Sequence, residues 1–169
     1  MKTLVLLRHA KSDWGNPRLD DFERPLNARG RRAAPRMAAF MRSEDLSPDL
    51  VWCSPAARAW ETWSLMAPVL SDDAEVASRD DLYLASREGL LAVARTAPDH
   101  TERLMIVAHN PGLHDLAVSL ATTSRDPAEL TQLEGGLPTS ALVIIIFCAD
   151  VWAGIAKGEL LRLIRPKQL

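Results

Sequence analysis

TLVLLRHA, residues 3–10, is the stretch from which the fold is read. Residues 3–7 are apolar or β-branched without a charge, and the run stops at Arg8-His9. A short continuous apolar run of this kind predicts a strand buried on both faces, as in parallel sheets covered by helices. Residues 50–53 (LVWC), 104–108 (LMIVA) and 141–147 (ALVIIIF) have the same character, and residues 160–164 predict a final strand. The 141–147 run is the most hydrophobic and is expected near the middle of the sheet. Helices are expected between the strands. Asn27 is a candidate cap for one reaching about residue 42, with Ala33, Met37, Phe40 and Met41 as its apolar stripe. Pro35 conflicts with that helix, so a kink or a late start near residue 32 is expected. Ser54-Pro55 is a helix-start signal for a segment to about residue 70. Residues 86–97 and 113–120 read as two more helices. Polar loops are expected at 11–26 and 121–139, an acidic irregular stretch at 71–80, and a brief extended segment at 81–85. The alternation predicts an α/β fold, a three-layer α/β/α sandwich with a mostly parallel central sheet, as one domain over 1–169.

The net charge of the 169-residue chain is −2, which offers no electrostatic footprint for nucleic acid. Of its 20 basic residues only Lys2, Lys11, Lys157 and Lys167 are lysines. Arginine dominates, and its rigid fork suits phosphate or carboxylate. Cys53 and Cys148 lie in apolar stretches and read as free, buried thiols. The N-terminal apolar run is too short for a signal sequence or a membrane span, so a cytoplasmic protein without membrane contact is expected. No HExxH, clustered CxxC or carboxylate triad with histidine occurs, so neither metal nor cofactor is expected. The glycine-rich nucleotide-binding patterns and the GxSxG elbow are also missing from the sequence.

Chemistry concentrates where strands end. Two strand candidates finish in histidine, at His9 and His109, and in open α/β sheets the carboxyl ends of strands form the ligand crevice. Arg8 adjoins the first. Arg58 falls near the start of the helix after the second strand, where a cation has no local electrostatic reason to sit unless an anion binds. Four cationic or cation-capable groups thus converge from three places, which is a site for a dianion such as a phosphoryl group. A neutral imidazole can attack phosphorus if its other ring nitrogen donates to an acceptor that fixes the tautomer. Trp14, in the loop beside Arg8-His9, is a candidate pocket wall. His100 reads as exposed, and His114 is off-register with His109 for a shared ligand.

These residues resemble the histidine phosphatase superfamily, which also contains the phosphoglycerate mutases, and within it the small SixA-type phosphohistidine phosphatases. The resemblance rests on LLRHAKSDW at 6–14, RPLNARG at 24–30, SPAARAWET at 54–62, LYLAS at 82–86, VAHNPGLHDLA at 107–117 and LPTSAL at 137–142, in the family's order. It implies a phosphoglycerate mutase-like fold and a metal-independent phosphatase. It assigns His9 as the nucleophile that forms a phosphohistidine intermediate, with Arg8, Arg58 and His109 holding the phosphoryl group. Arg24 matches a position of the SixA-type branch and reads as structural or as pocket rim. Two departures matter. Ala10 stands where the family often has glycine, and Asn110 stands where one branch has an aspartate acid. Asp81 and Asp13 are the remaining candidates for an acid. An alkyl ester needs a protonated leaving group, whereas a phosphoramidate can carry its proton on nitrogen beforehand. The expected substrate is therefore phosphohistidine in a protein. The alternatives are a small phosphorylated metabolite hydrolysed as a phosphomonoester, and a non-catalytic phosphate-binding module.

Overall fold

In the computed structural model, which describes residues 1–70 and 73–169, the run that opens with Lys2 is strand β1 (Lys2–Arg8), at the centre of a seven-stranded sheet. The other strands are β2 (Leu50–Cys53), β3 (Glu75–Ser78), β4 (Arg103–Ala108), β5 (Ala121–Ser124), β6 (Leu142–Phe147) and β7 (Gly158–Ile164), in the spatial order β3-β2-β4-β1-β6-β7-β5. β1, β4, β2 and β3 pair in parallel, as do β7 and β5, and β6 is antiparallel to both its neighbours. Only β6 therefore runs against the rest, and the sheet is mostly parallel. The helices are α1 (Ala28–Ser43), α2 (Ala57–Leu70), α3 (Arg87–Ala94), α4 (Gly112–Leu120) and α5 (Pro127–Glu134).

Residues 4–7 are fully buried, and their alternation builds both faces. Leu4 and Leu6 join Leu90, Leu116 and Leu133 from α3, α4 and α5. Val5 and Leu7 join Met37, Met41, Trp63 and Met66 from α1 and α2. The result is the three-layer α/β/α sandwich expected from the alternation of elements.

Several local expectations are corrected. The edge strands β3 and β5 escape sequence reading because most of their residues are exposed and carry no buried run. Residues 71 and 72 of the acidic stretch lie outside the described residues. The 121–139 segment contains both β5 and α5, the latter capped by Asp126, whose carboxylate accepts from Ala128 N at 2.9 Å. Residues 80–82 form a 3-10 turn in place of an extended segment. α1 neither breaks nor starts late at Pro35. Asn27 Oδ1 accepts from Gly30 N at 2.9 Å, and a buried face of Ala34, Met37, Ala38 and Met41 outweighs the one bond that proline removes. Ser54 does not cap α2, which begins at Ala57; its hydroxyl faces His109. α3 ends at Ala94, short of residue 97. Cys53 is buried, Cys148 is exposed, and both are free.

Two glycines of the sequence motifs are fixed by close approach. A Cβ on Gly30 would lie 2.2 Å from Lys11 O, which binds the start of α1 to the chain after His9. A Cβ on Gly112 would lie 1.9 Å from Ala85 O, so only glycine lets α4 meet the segment carrying Tyr83. Gly112→Ala must push backbone apart. Its expected effect is a loss of about 3 kcal/mol, the upper range for overpacking, or roughly 6–12 °C in Tm for a chain this size. A thermal melt within 2 °C of the parent, about the effect of less than 1 kcal/mol, would contradict the clash.

Candidate active site

The carboxyl ends of β1, β2 and β4 bring Arg8-His9, Ser54 and His109 to one edge of the sheet. The backbone around His9 is held from three sides. His9 N donates to Ala108 O at 3.2 Å, Ser140 N lies 3.1 Å from both Arg8 O and His9 O, and Ala10 N donates to Thr62 Oγ1 at 2.9 Å. Thr62 in turn donates to Arg58 O at 2.6 Å, so one hydroxyl ties the histidine's backbone to α2.

His9 is buried, and its Nδ1 lies 2.8 Å from Ala10 O. A carbonyl only accepts, so Nδ1 carries the proton and Nε2 keeps its lone pair. Arg58 Nε donates to that Nε2 at 3.3 Å. Burial, above all, drives the His9 pKa down to about 3, and the charges of His109, Arg58 and Arg8 add to the effect. The arginines therefore help to keep the ring neutral, as a secondary cause.

His109 lies beside it, the two ring centroids 5.1 Å apart. Its Nε2 is 2.7 Å from Ser54 Oγ, and its buried Nδ1 has no partner among the described residues. If Ser54 donates, Nδ1 carries a proton free for an anion. Burial, then Arg58, lowers the His109 pKa to about 4, so at neutral pH it is a neutral donor. Arg8 Nη1 donates to Leu137 O at 2.9 Å, while its buried Nε is also unpartnered among the described residues. Arg58 is buried, and each of its three nitrogens has a partner: beyond the bond to His9, Nη1 donates to Asp21 O at 2.6 Å and Nη2 to Asp21 Oδ2 at 2.9 Å, which leaves one N–H on each Nη for an anion.

Arg8, His9, Arg58 and His109 thus share a cleft of about 350 Å³. Arg24 and Trp14 line it too. Arg24 serves both as a structural residue and as rim. It is buried, donates to Ser12 Oγ, pairs with Asp21 Oδ1 at 2.8 Å, and its guanidinium lies 3.6 Å over the Trp14 ring. Trp14 is 71% exposed and walls the cleft from outside.

Neither candidate acid reaches the cleft. Asp81 is exposed and turned into a two-pronged pair with Arg79, Oδ1 to Nε at 3.0 Å and Oδ2 to Nη2 at 2.7 Å, which also lowers its pKa. Asp13 is exposed and its Oδ1 accepts from Gly15 N at 2.8 Å. Asn110 does line the cleft, but its Nδ2 donates to Leu137 O at 2.9 Å, so an aspartate there would lose that bond or give its proton to the same carbonyl. His100 is exposed, and His114 Nε2 faces Leu133 O at 2.7 Å, away from the cleft. Among the described residues, no group of three or more His, Cys, Asp or Glu is arranged to hold a metal ion, and no helix is long and apolar enough to cross a membrane.

Lys11, Ser12, Asp21, Leu84 and Thr139 line the cleft without having been read as site residues, and Tyr83 stands beside it, bonded to Asp21. Asp21 carries the carboxylate that Arg58 and Arg24 share, and Tyr83 Oη donates to its Oδ2 at 2.7 Å. The Tyr83 ring stands edge-on to His109 at 5.5 Å. Asp21 is one acidic residue in a polar loop, three before Arg24, and that spacing is the only signal it offers. Its placement follows from the loop's closure, where Asp13 N donates to Pro25 O at 2.8 Å and Asn27 N to Lys11 O at 2.9 Å. Hydrogen bonds from Arg24, foremost, then Tyr83 and Arg58 hold the Asp21 carboxyl far below the usual carboxylate range.

Comparison with known proteins identifies the family. The profile of the histidine phosphatase superfamily (branch 1) matches residues 4–83. An uncharacterized protein of Mycobacterium tuberculosis is 31% identical over 153 residues, which cover 90% of this chain and 93% of that one. A structure from Nakamurella multipartitia, proposed to be the phosphohistidine phosphatase SixA, superposes with a TM-score of 0.83 at 28% identity, over 98% of this chain and 96% of that one. A second protein proposed to be SixA, from Agrobacterium tumefaciens, gives 0.80 at 27% identity over 98% of both chains.

Proposed function

Because this chain belongs to the histidine phosphatase superfamily, in its SixA-type branch, and is a phosphatase, we propose that it dephosphorylates phosphohistidine in proteins through a covalent intermediate on His9. The observation that carries this reading is the fixed tautomer of His9, with Nδ1–H on Ala10 O and the lone pair of Nε2 turned into the cleft toward Arg58 Nε. Nε2 attacks phosphorus and the bond to the substrate nitrogen breaks, its electron pair returning to that nitrogen. His9 keeps its Nδ1 proton throughout, so water can later displace a neutral imidazole from the phosphoenzyme without an acid. Arg8, Arg58 and the Nδ1 side of His109 are the donors for the phosphoryl oxygens, whose charge in the transition state such groups stabilise.

The substrate assignment is supported by the acid inventory. The carboxylate in the cleft, Asp21, is held ionised, and Asp81 and Asp13 point elsewhere. An ester's alkoxide would leave without a proton, whereas a phosphohistidine ring already protonated on its other nitrogen leaves as neutral imidazole without an acid. A protein as carrier is supported by the rim. Trp14 and Leu84 line the cationic cleft and Phe22 stands edge-on to Tyr83 beside it; their exposures are 71%, 55% and 41%. Large exposed apolar groups gathered at one place mark interaction surfaces.

The test is a substrate panel with EDTA present: a phosphohistidine protein, free phosphohistidine and ordinary phosphomonoesters. Activity is expected to survive the chelator and to favour the P–N substrates. Loss of turnover on chelation, restored by one divalent metal, overturns the metal-independent reading. A preference for esters overturns the substrate assignment.

A further inference from the structure

We propose that Asp21 is a specificity-determining residue: its ionised carboxylate receives the N–H of a leaving imidazole and thereby selects P–N over P–O substrates. The proposal rests on the phosphohistidine reading and deepens it. It begins from the Arg58 guanidinium, which has two occupied edges. Nε meets the nucleophilic Nε2 of His9 at 3.3 Å, while Nη1 and Nη2 hold Asp21 at 2.6 and 2.9 Å. Asp21 is therefore one guanidinium away from the attacking atom, inside the cleft where a phosphoryl group and its leaving group must fit.

A carboxylate in a phosphate cleft is unfavourable for a dianion unless it serves another purpose. Asp21 is not spare. Oδ1 accepts from Arg24, and Oδ2 from Arg58 and Tyr83, a set that keeps the group an acceptor and denies it a proton to give. The side chain is nevertheless 43% exposed, so an incoming group can reach it. An ionised carboxylate repels an ester dianion and cannot protonate an alkoxide. It does attract a phosphohistidine ring that carries a proton on its second nitrogen. In the transfer step, His9 Nε2 forms the new P–N bond, the substrate P–N bond breaks, and its pair returns to the substrate nitrogen. The proton already on the other ring nitrogen stays there, hydrogen-bonded to Asp21, and the leaving group departs as neutral imidazole. The same residue thus accounts for a cleft that has a carboxylate and yet no acid.

The alternative is that Asp21 only positions Arg58 and Arg24. Asp21→Asn separates the two, because the amide keeps an acceptor oxygen for an arginine and loses the charge. The measurement is kcat/KM of parent and variant on N-phosphoimidazole, free phosphohistidine and an aryl phosphate ester, with thermal melts to establish folding. The expected result is a loss of roughly tenfold or more on both P–N probes, the scale of one charge-assisted hydrogen bond. The ester rate is expected to fall less, because its leaving group makes no contact with Asp21, so the P–N to P–O ratio drops. Equal losses on all probes, leaving the P–N to P–O ratio unchanged, mean positioning only and overturn the proposal. If Asp21→Asn does not fold, Asp21→Glu, which keeps the charge and moves it by one methylene, is read for the same ratio; an unchanged ratio with falling rates on every probe again overturns it. The parent arm reads the function separately, since a parent that prefers esters defeats the phosphohistidine reading before any variant is compared.

Discussion

His9→Ala is expected to abolish turnover, by roughly 10⁴-fold or more as for removal of a catalytic nucleophile, and to eliminate the acid-labile phosphoenzyme. Phosphate binding should survive in part, because Arg8, Arg58 and His109 remain. The expectation comes from the backbone as much as from the ring. His9 is pinned through Ala108, Ser140 and Thr62, and its Nδ1 is committed to Ala10 O, so Nε2 is the nitrogen left for phosphorus. Its low pKa, about 3, sets the pH behaviour of the free enzyme. Protonation would consume the lone pair, so this group removes activity only as pH falls toward 3. kcat/KM, corrected for ionisation of the substrate, should therefore show no His9 limb near the ordinary imidazole value of about 6.5. His109→Ala should differ in kind, slowing turnover while still permitting slow labelling of His9. Rapid quench with a labelled phosphoryl donor, then peptide mapping in alkali, makes the distinction. Label on another residue, or full activity in the His9→Ala protein, ends the nucleophile assignment.

What the sequence discloses about this site is the part fixed by strands. His9 and His109 follow buried runs whose apolar content announces β1 and β4, and the sheet then places both residues at one edge without further information. Arg58 is legible for a similar reason, as a cation close to the start of a helix. Ser54 reads as the cap of α2, and its place facing His109 is not legible, because it depends on β2 and β4 being neighbours. The edge strands β3 and β5 were invisible because exposed strands need no hydrophobic pattern. Asp21 and Tyr83 were invisible for another reason. They lie on connections, 62 residues apart, and meet only because the 11–26 loop folds over the cleft and Gly112 lets the chain at Ala85 approach α4. Asp81 reads as a candidate acid because it directly precedes Leu82-Tyr83. Arg79, two residues away, claims it instead.

Arg58→Ala is the second large effect expected, and the one that tests how the cleft is charged. The guanidinium makes three contacts, one to the nucleophile and two to Asp21. On binding a phosphoryl group, the fork must serve both ground and transition states, so both phosphate affinity and kcat should fall. Two charge-assisted hydrogen bonds at about 1.5–3 kcal/mol each correspond to roughly 10²–10⁴-fold in kcat/KM. Arg58→Lys should not restore the loss, because a point charge cannot address His9 and the phosphoryl group at once. The variant also leaves Asp21 with Arg24 and Tyr83 as its remaining partners, so part of the lost phosphate affinity should be repulsion from a carboxylate no longer neutralised. Adding Asp21→Asn to Arg58→Ala is then expected to recover some phosphate binding, though not turnover. The measurements are isothermal titration with inorganic phosphate and steady-state rates on the same proteins, with melts to establish that each is folded. Phosphate affinity unchanged in folded Arg58→Ala would remove Arg58 from the phosphoryl site. Affinity lost but not partly recovered in the double variant would show that the deficit is the missing donors alone.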